Sequence, residues 1–199
     1  MHVTAPLGAD APDWVLAEMP PGYQTRVTEI QRLSTELQHM HGFGRLLWAV
    51  GRDLEEAVRD AFTALKFDVS VVEASTKSAV AVQIDSERRL LLYASTAEGT
   101  IDKKSPEVGH VFNVLHQVAS EHDRVILVTN GNRMSPPAER PESIAPAAVT
   151  LLQRMGVNCV TAPTLFRMWM LAVQDIEGAR RFAVRMYEQD GGTFDLPPK

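Results

Sequence analysis

The 199-residue chain sets 20 lysines and arginines against 25 aspartates and glutamates, and 45% of it is aliphatic, aromatic or cysteine. Those proportions exclude disorder, collagen-like repeats and a disulfide scaffold, and a net charge of −5 gives no global pull towards nucleic acid. The single cysteine, Cys159, excludes an intramolecular disulfide and a cysteine-built zinc site; it fits a reducing cytoplasm, the expected location. No apolar run approaches the ~20 residues of a membrane span, so no membrane partner is expected. The first 22 residues lack a basic start followed by an apolar core, so no signal peptide is expected either.

Residues 1–24 read as a flexible arm rich in Pro, Gly and Ala, closed by Pro20-Pro21-Gly22, with Trp14 as its anchor. Residues 25–43 read as an amphipathic helix in which Val27, Ile30, Leu33 and Leu37 recur at three- and four-residue steps. Its apolar stripe suits either its own domain or a second copy, which makes a homodimer the expected assembly. His41-Gly42-Phe43-Gly44 is expected to interrupt it.

The core, residues 44–173, opens with Leu46-Leu47-Trp48. A helix from Asp53 follows, with Leu54, Val58, Ala61, Phe62 and Leu65 inward. Phe67–Glu73 and Ala79–Ile84 read as strands, and the turn Asp85-Ser86-Glu87 leads into the apolar run Leu90–Ala94, a hairpin partner covered on both faces. A helix from Val108 to Ser120 is expected to bury Val111, Phe112, Leu115 and Val118. Arg124–Thr129 is the clearest buried strand. Pro146–Met155 is a helix stopped by Gly156, Val157–Val160 the last strand, and Thr164–Val173 the next helix. Residues 174–191 form a C-terminal helix and 192–199 a tail. This order implies an α/β fold, a mixed central sheet flanked by helices.

The run Leu46-Leu47-Trp48-Ala49-Val50-Gly51, continued by Leu54–Val58 and Ala64–Val69, resembles the first helix of the restriction-endonuclease-like (PD-(D/E)XK) nuclease superfamily. Val125–Asn130 with Pro136–Pro141 resembles one of its core strands and the loop behind it, and Val157–Phe166 its closing strand and helix. The resemblance covers roughly Gly44 to Leu171 and rests on the ordered set of pieces. It implies a restriction-endonuclease-like fold. Active members hold a divalent metal with an Asp on the second strand and a Glu-x-Lys on the third, hard oxygen ligands that suit Mg²⁺ and a lysine that stabilises phosphoryl charge. Laid over the hairpin, that pattern puts Tyr93 in the place of the Glu and Ser95 in that of the Lys, with the Asp near Ser78-Ala79-Val80. None of these is acidic, so a degenerate site without a metal or other cofactor is expected.

Replacement acids are Glu56, Glu73, Asp85 and Glu98, with Mg²⁺ or Mn²⁺ as cofactor if they rebuild the site. As plain residues, Glu55 and Glu56 are a solvated helix face, Asp85 a turn former and Glu98 a loop charge. Lys103, Lys104, Arg133 and Arg140 are candidate phosphate contacts on loops, set against scattered solubilising charge. The histidines His39, His41, His110, His116 and His122 lack zinc-site spacing, and Cys159 reads as a small core residue. Gly42-Phe43-Gly44 follows a helix and not a strand, so it is no dinucleotide loop, and no GxSxG supports a serine hydrolase.

Three functions follow. The first is a catalytically inactive nuclease-like domain that binds or assembles, with DNA, RNA, a nucleotide or a protein as partner. The second is an active metal-dependent nuclease with migrated ligands. The third is a structural subunit of a larger complex.

Overall fold

The computed structural model describes residues 14–74 and 77–196, which divide into two compact units between Gly42 and Phe43. The expected N-terminal arm falls largely on residues 1–13, outside the described residues. In the first unit a short helix α1 (Trp14–Ala17) precedes α2 (Tyr23–Gly44). Trp14 is exposed, and α2 carries an exposed stripe of Ile30, Leu33, Leu37 and Met40. On its polar face Arg32 bridges Glu29 at 2.8 Å and Glu36 at 3.1 Å. The helix does not stop at His41. Gly44 keeps helical angles (φ −55°, ψ −25°) and one 3-10 turn, Arg45–Leu47, follows. Glycine weakens a helix by about 1 kcal/mol without forbidding it. Here the second unit fixes the following residues: Phe43 stacks on Trp169 at 4.4 Å and Leu46 is fully buried.

The second unit is α/β. Helix α3 (Gly51–Ala64) buries Leu54, Ala57, Val58, Ala61 and Phe62, the one-sided pattern its sequence carries. Strands β1 (Asp68–Ala74), β2 (Lys77–Gln83) and β3 (Arg89–Ala94) form an antiparallel meander, with Val71 opposite Val80 and Ala81 opposite Leu91. Asp85 accepts the Glu87 and Arg88 backbone N–H groups at 3.1 and 2.9 Å, which makes the β2–β3 turn. Then α4 (Pro106–Gln117), β4 (Asp123–Thr129), α5 (Pro146–Arg154) and β5 (Asn158–Thr161) follow, and α6 (Ala162–Ala172) and α7 (Ile176–Glu188) lead to β6 (Gly192–Phe194). The six strands lie in chain order, and β3 through β6 are parallel.

Two expectations change here. Phe112 is 49% exposed and packs against His116 with the rings tilted, while Val108, Val111 and Val114 carry the buried face of α4. Residues expected as tail supply β6, which buries Phe194 beside Val160; the strand at Asn158–Thr161 is therefore not the last.

Alternation along the strands divides the core. Val80, Val82, Leu90, Leu92, Ile126 and Val128 face α3, α6 and α7. Ala81, Leu91, Tyr93, Val125, Leu127 and Cys159 face α4 and α5. Burial on both faces explains the continuous apolar runs of β3 and β4. Among the described residues no helix is long and apolar enough to cross a membrane.

Candidate functional site

Gly51 starts α3 with φ +58°, a conformation that favours glycine, and its N–H bonds Ser95 O at 3.1 Å. The start of α3 is thereby tied to the end of β3. Between them and strands β1 and β2 lies a cleft of about 450 Å³, lined by Arg52, Glu55, Glu56, Arg59, Glu73, Lys77, Ser78, Tyr93 and Thr96. Glu73 and Ser78 are paired across β1 and β2, and the Ser78 hydroxyl donates to Glu55. Glu56 is held at 3.4 Å by Arg45 and 3.5 Å by Arg52. Three carboxylates thus face three cations, and the lining is close to neutral.

Tyr93 lines the cleft, its side chain on the α4 side of the sheet. It is 2% exposed and shares a 2.9 Å hydrogen bond with His110 Nδ1 from α4. Burial, reinforced by the charges of Glu107 and Glu55, pushes the phenol up to about 12, so Tyr93 stays neutral at ordinary pH. The buried Glu107 accepts from Thr96 Oγ1 at 3.2 Å. Ser95 does not line the cleft: it is 1% exposed and its hydroxyl accepts the Ala97 N–H at 2.9 Å.

The divalent metal of the nuclease pattern does not fit these groups. Where the resemblance would put a carboxylate ligand stands a neutral buried phenol, where it would put the lysine stands a serine bonded to its own turn, and Ser78 is already paired with Glu55. Among the described residues no three His, Cys, Asp or Glu side chains gather as a metal centre requires.

The replacement acids separate. Glu56 and Glu73 line the cleft. Asp85 lies in the turn beyond the far end of β2, where it pairs with Arg88; from Ser78 to the strand's end at Gln83 alone is about 16 Å at about 3.3 Å per residue. Glu98 belongs to a loop contact, 2.7 Å from Arg133 Nη2.

The candidate phosphate contacts separate too. Lys103 and Lys104 occupy an exposed turn before α4, where Asp102 accepts the Lys104 N–H at 2.6 Å. Arg133 reaches Trp48 O at 3.3 Å besides Glu98. Arg140 is a staple. It donates to Asn130 Oδ1 at 2.8 Å, Leu47 O at 2.6 Å, Ser135 O at 2.8 Å and Arg133 O at 3.3 Å, and Asn130 Nδ2 in turn donates to Ala49 O at 2.7 Å.

Lys77 is not legible in the sequence as a cleft residue, nor are Glu107 and His110 as neighbours of Tyr93, because sheet pairing and the α4 crossover bring them there. Cys159 is fully buried, its thiol pushed up to about 12 by burial, as a core residue's would be. No protein-family model, no curated protein and no solved structure matches this chain.

Proposed function

We propose that this chain is a restriction-endonuclease-like domain that has exchanged metal-dependent cleavage for binding, acting through the cleft between α3 and β1–β3. The observation that carries the reading is Tyr93: at the position where the resemblance demands a metal-binding carboxylate, the chain buries a neutral phenol hydrogen-bonded to His110. The helix–meander–helix–strand order of α3 to β4 supports the same assignment. The close charge balance of the lining favours a nucleotide or a protein segment over a long polyanion, which needs a net positive track. Association of two copies through the α2 stripe, and a cytoplasmic location, complete the proposal.

The test incubates labelled single- and double-stranded DNA and RNA with Mg²⁺ or Mn²⁺, beside EDTA, and reads cleavage and mobility on one gel. No cutting under any condition is the expected result. A salt-sensitive shift makes nucleic acid the partner. Metal-dependent cutting would overturn the proposal. A second reading, a nuclease with migrated ligands, draws on Glu55, Glu56, Glu73 and Lys77 lining one cleft. It requires that any cutting be lost in Glu73→Gln.

A further inference from the structure

The sheet has two edges, β1 and β6, and they are built differently. β6 is three residues long, whereas β1 runs for seven, paired residue for residue with β2 and so without a bulge. β1 contains no proline and no lysine, the residues that most often blunt an edge. Alternate residues of an edge strand point their N–H and C=O groups away from the sheet. Among the described residues nothing meets those groups on β1, whose backbone bonds are those to β2. Asp68, Ser70, Val71 and Glu73 are all exposed, so the edge stands open.

The side chains along this edge select a partner. Alternation puts Val69, Val71 and Glu73 on the α3 side, where Val69 packs on the core and the other two line the cleft. Asp68 falls on the opposite side with Val72. Neither Asp68 nor Glu73 makes an ion pair or hydrogen bond among the described residues, and β1 carries no cation of its own. The cleft arginines are engaged elsewhere, Arg52 with Glu56 at 3.5 Å and Arg59 with Asp60 at 3.8 Å. Lys77 stands opposite Ala74 in register and pairs with neither acid.

A second copy of β1 would bring two more carboxylates and no cation to this seam. A strand with lysine or arginine at matching positions would meet both acids, because directly opposite residues share a face with Cβ atoms about 5 Å apart. Capture of a peptide as an added strand works in this way: the ladder supplies affinity and alternate side chains supply specificity.

We propose that the open edge of β1 captures an extended basic segment of a partner protein as a seventh, antiparallel strand, with the side chains opposite Val71 and Glu73 entering the mouth of the cleft. The proposal rests on the reading of the cleft as a binding site and gives that site its partner class. In this register cations lie opposite Glu73 and Asp68, and apolar residues opposite Val71 and Val69.

Fluorescence anisotropy of the intact protein with the labelled peptide Thr-Lys-Thr-Val-Thr-Val-Lys, which follows that register, is the test. Saturable binding is expected, weakened about fivefold by Glu73→Lys, which turns one attraction into a repulsion at an exposed position. Replacing the peptide's second residue by glutamate should restore binding to Glu73→Lys and weaken it to the wild type. N-methylation of the odd-numbered or of the even-numbered peptide residues should act unequally, one set abolishing binding and the other sparing it, since only alternate N–H groups would face β1. No saturable binding, equal effects of the two N-methyl sets, or affinity indifferent to Glu73→Lys would overturn the proposal. A fall in the protein's mass by light scattering on adding the peptide would put a second copy on the edge and overturn the choice of partner. Metal-dependent cutting of nucleic acid would strike the binding reading of the cleft whatever the peptide does, whereas a protein that neither cuts nor binds the peptide strikes capture at β1 alone.

Discussion

Replacing Arg140 separates a structural arginine from a ligand-binding one. Its guanidinium bonds four acceptors on three stretches of chain: Leu47 ahead of α3, Asn130 at the end of β4, and Arg133 and Ser135 in the loop between β4 and α5. Burial lowers its pKa from the ordinary arginine value, yet an arginine keeps its charge. A hydrogen bond from a charged donor contributes roughly 1.5–3 kcal/mol, but four acceptors share one cation here. Water also replaces it on the open side once the loop relaxes. A net loss of about 2–4 kcal/mol for Arg140→Ala follows. With a urea slope of about 2 kcal/mol/M, the unfolding midpoint falls by about 1–2 M. Arg140→Lys should lose nearly as much, since one ammonium cannot span Leu47 O and Asn130 Oδ1 as a planar fork does. If Arg140→Ala unfolds within about 0.5 kcal/mol of the wild type, the staple is incidental and the reasoning fails.

Further outcomes follow from the same geometry. Phe62→Ala, at a fully buried α3 position, should cost about 3–5 kcal/mol in urea unfolding, whereas Phe112→Ala, half exposed, should stay within about 1 kcal/mol; similar losses would refute the assigned faces of α3 and α4. Burial opposes ionisation of Asp123, but bonds from Arg89 at 2.9 and 2.7 Å and from Ser120 outweigh it and hold its carboxyl below the usual range. A depressed carboxylate stabilises the fold above its unfolded pKa of about 4 and loses that contribution as pH falls below it. The stability gap between wild type and Asp123→Asn should therefore be constant from pH 7 to 5 and shrink towards pH 3; a gap independent of pH over this range would refute the assignment. Leu33→Glu with Leu37→Glu should halve the mass measured by light scattering, and an unchanged mass would remove α2 as the contact between copies.

Much of the fold is legible because single strands and helices announce themselves locally. Leu90–Ala94 and Arg124–Thr129 are apolar because both faces of β3 and β4 are covered, and α3 shows one apolar side because it lies on the sheet. What escapes local reading is set by distant partners. Gly192-Thr193-Phe194 has no periodicity and becomes a strand only because β5 offers an open ladder for it. Phe112 shares the apolar character of its neighbours, yet the sheet meets α4 along Val108, Val111 and Val114. At the cleft, Tyr93 and Ser95 could be located from the hairpin, but the His110 bond, the Glu107–Thr96 pair and the use of Arg140 as a staple join residues up to 93 positions apart. No spacing within one segment carries that information.

The strand order has a kinetic consequence. Since β1 to β6 lie side by side in the order of the chain, each strand pairs with the one made just before it, and no strand has to be inserted between two already formed. A chain emerging from the ribosome, where amino-terminal segments fold first, can therefore build this sheet by accretion at one advancing edge. The meander β1–β3 is closed by short connections and can nucleate alone, while each parallel strand afterwards waits on its crossover helix, at a higher loop-closure cost. Assembly should thus begin at the meander and slow towards β6, the three-residue strand that joins last.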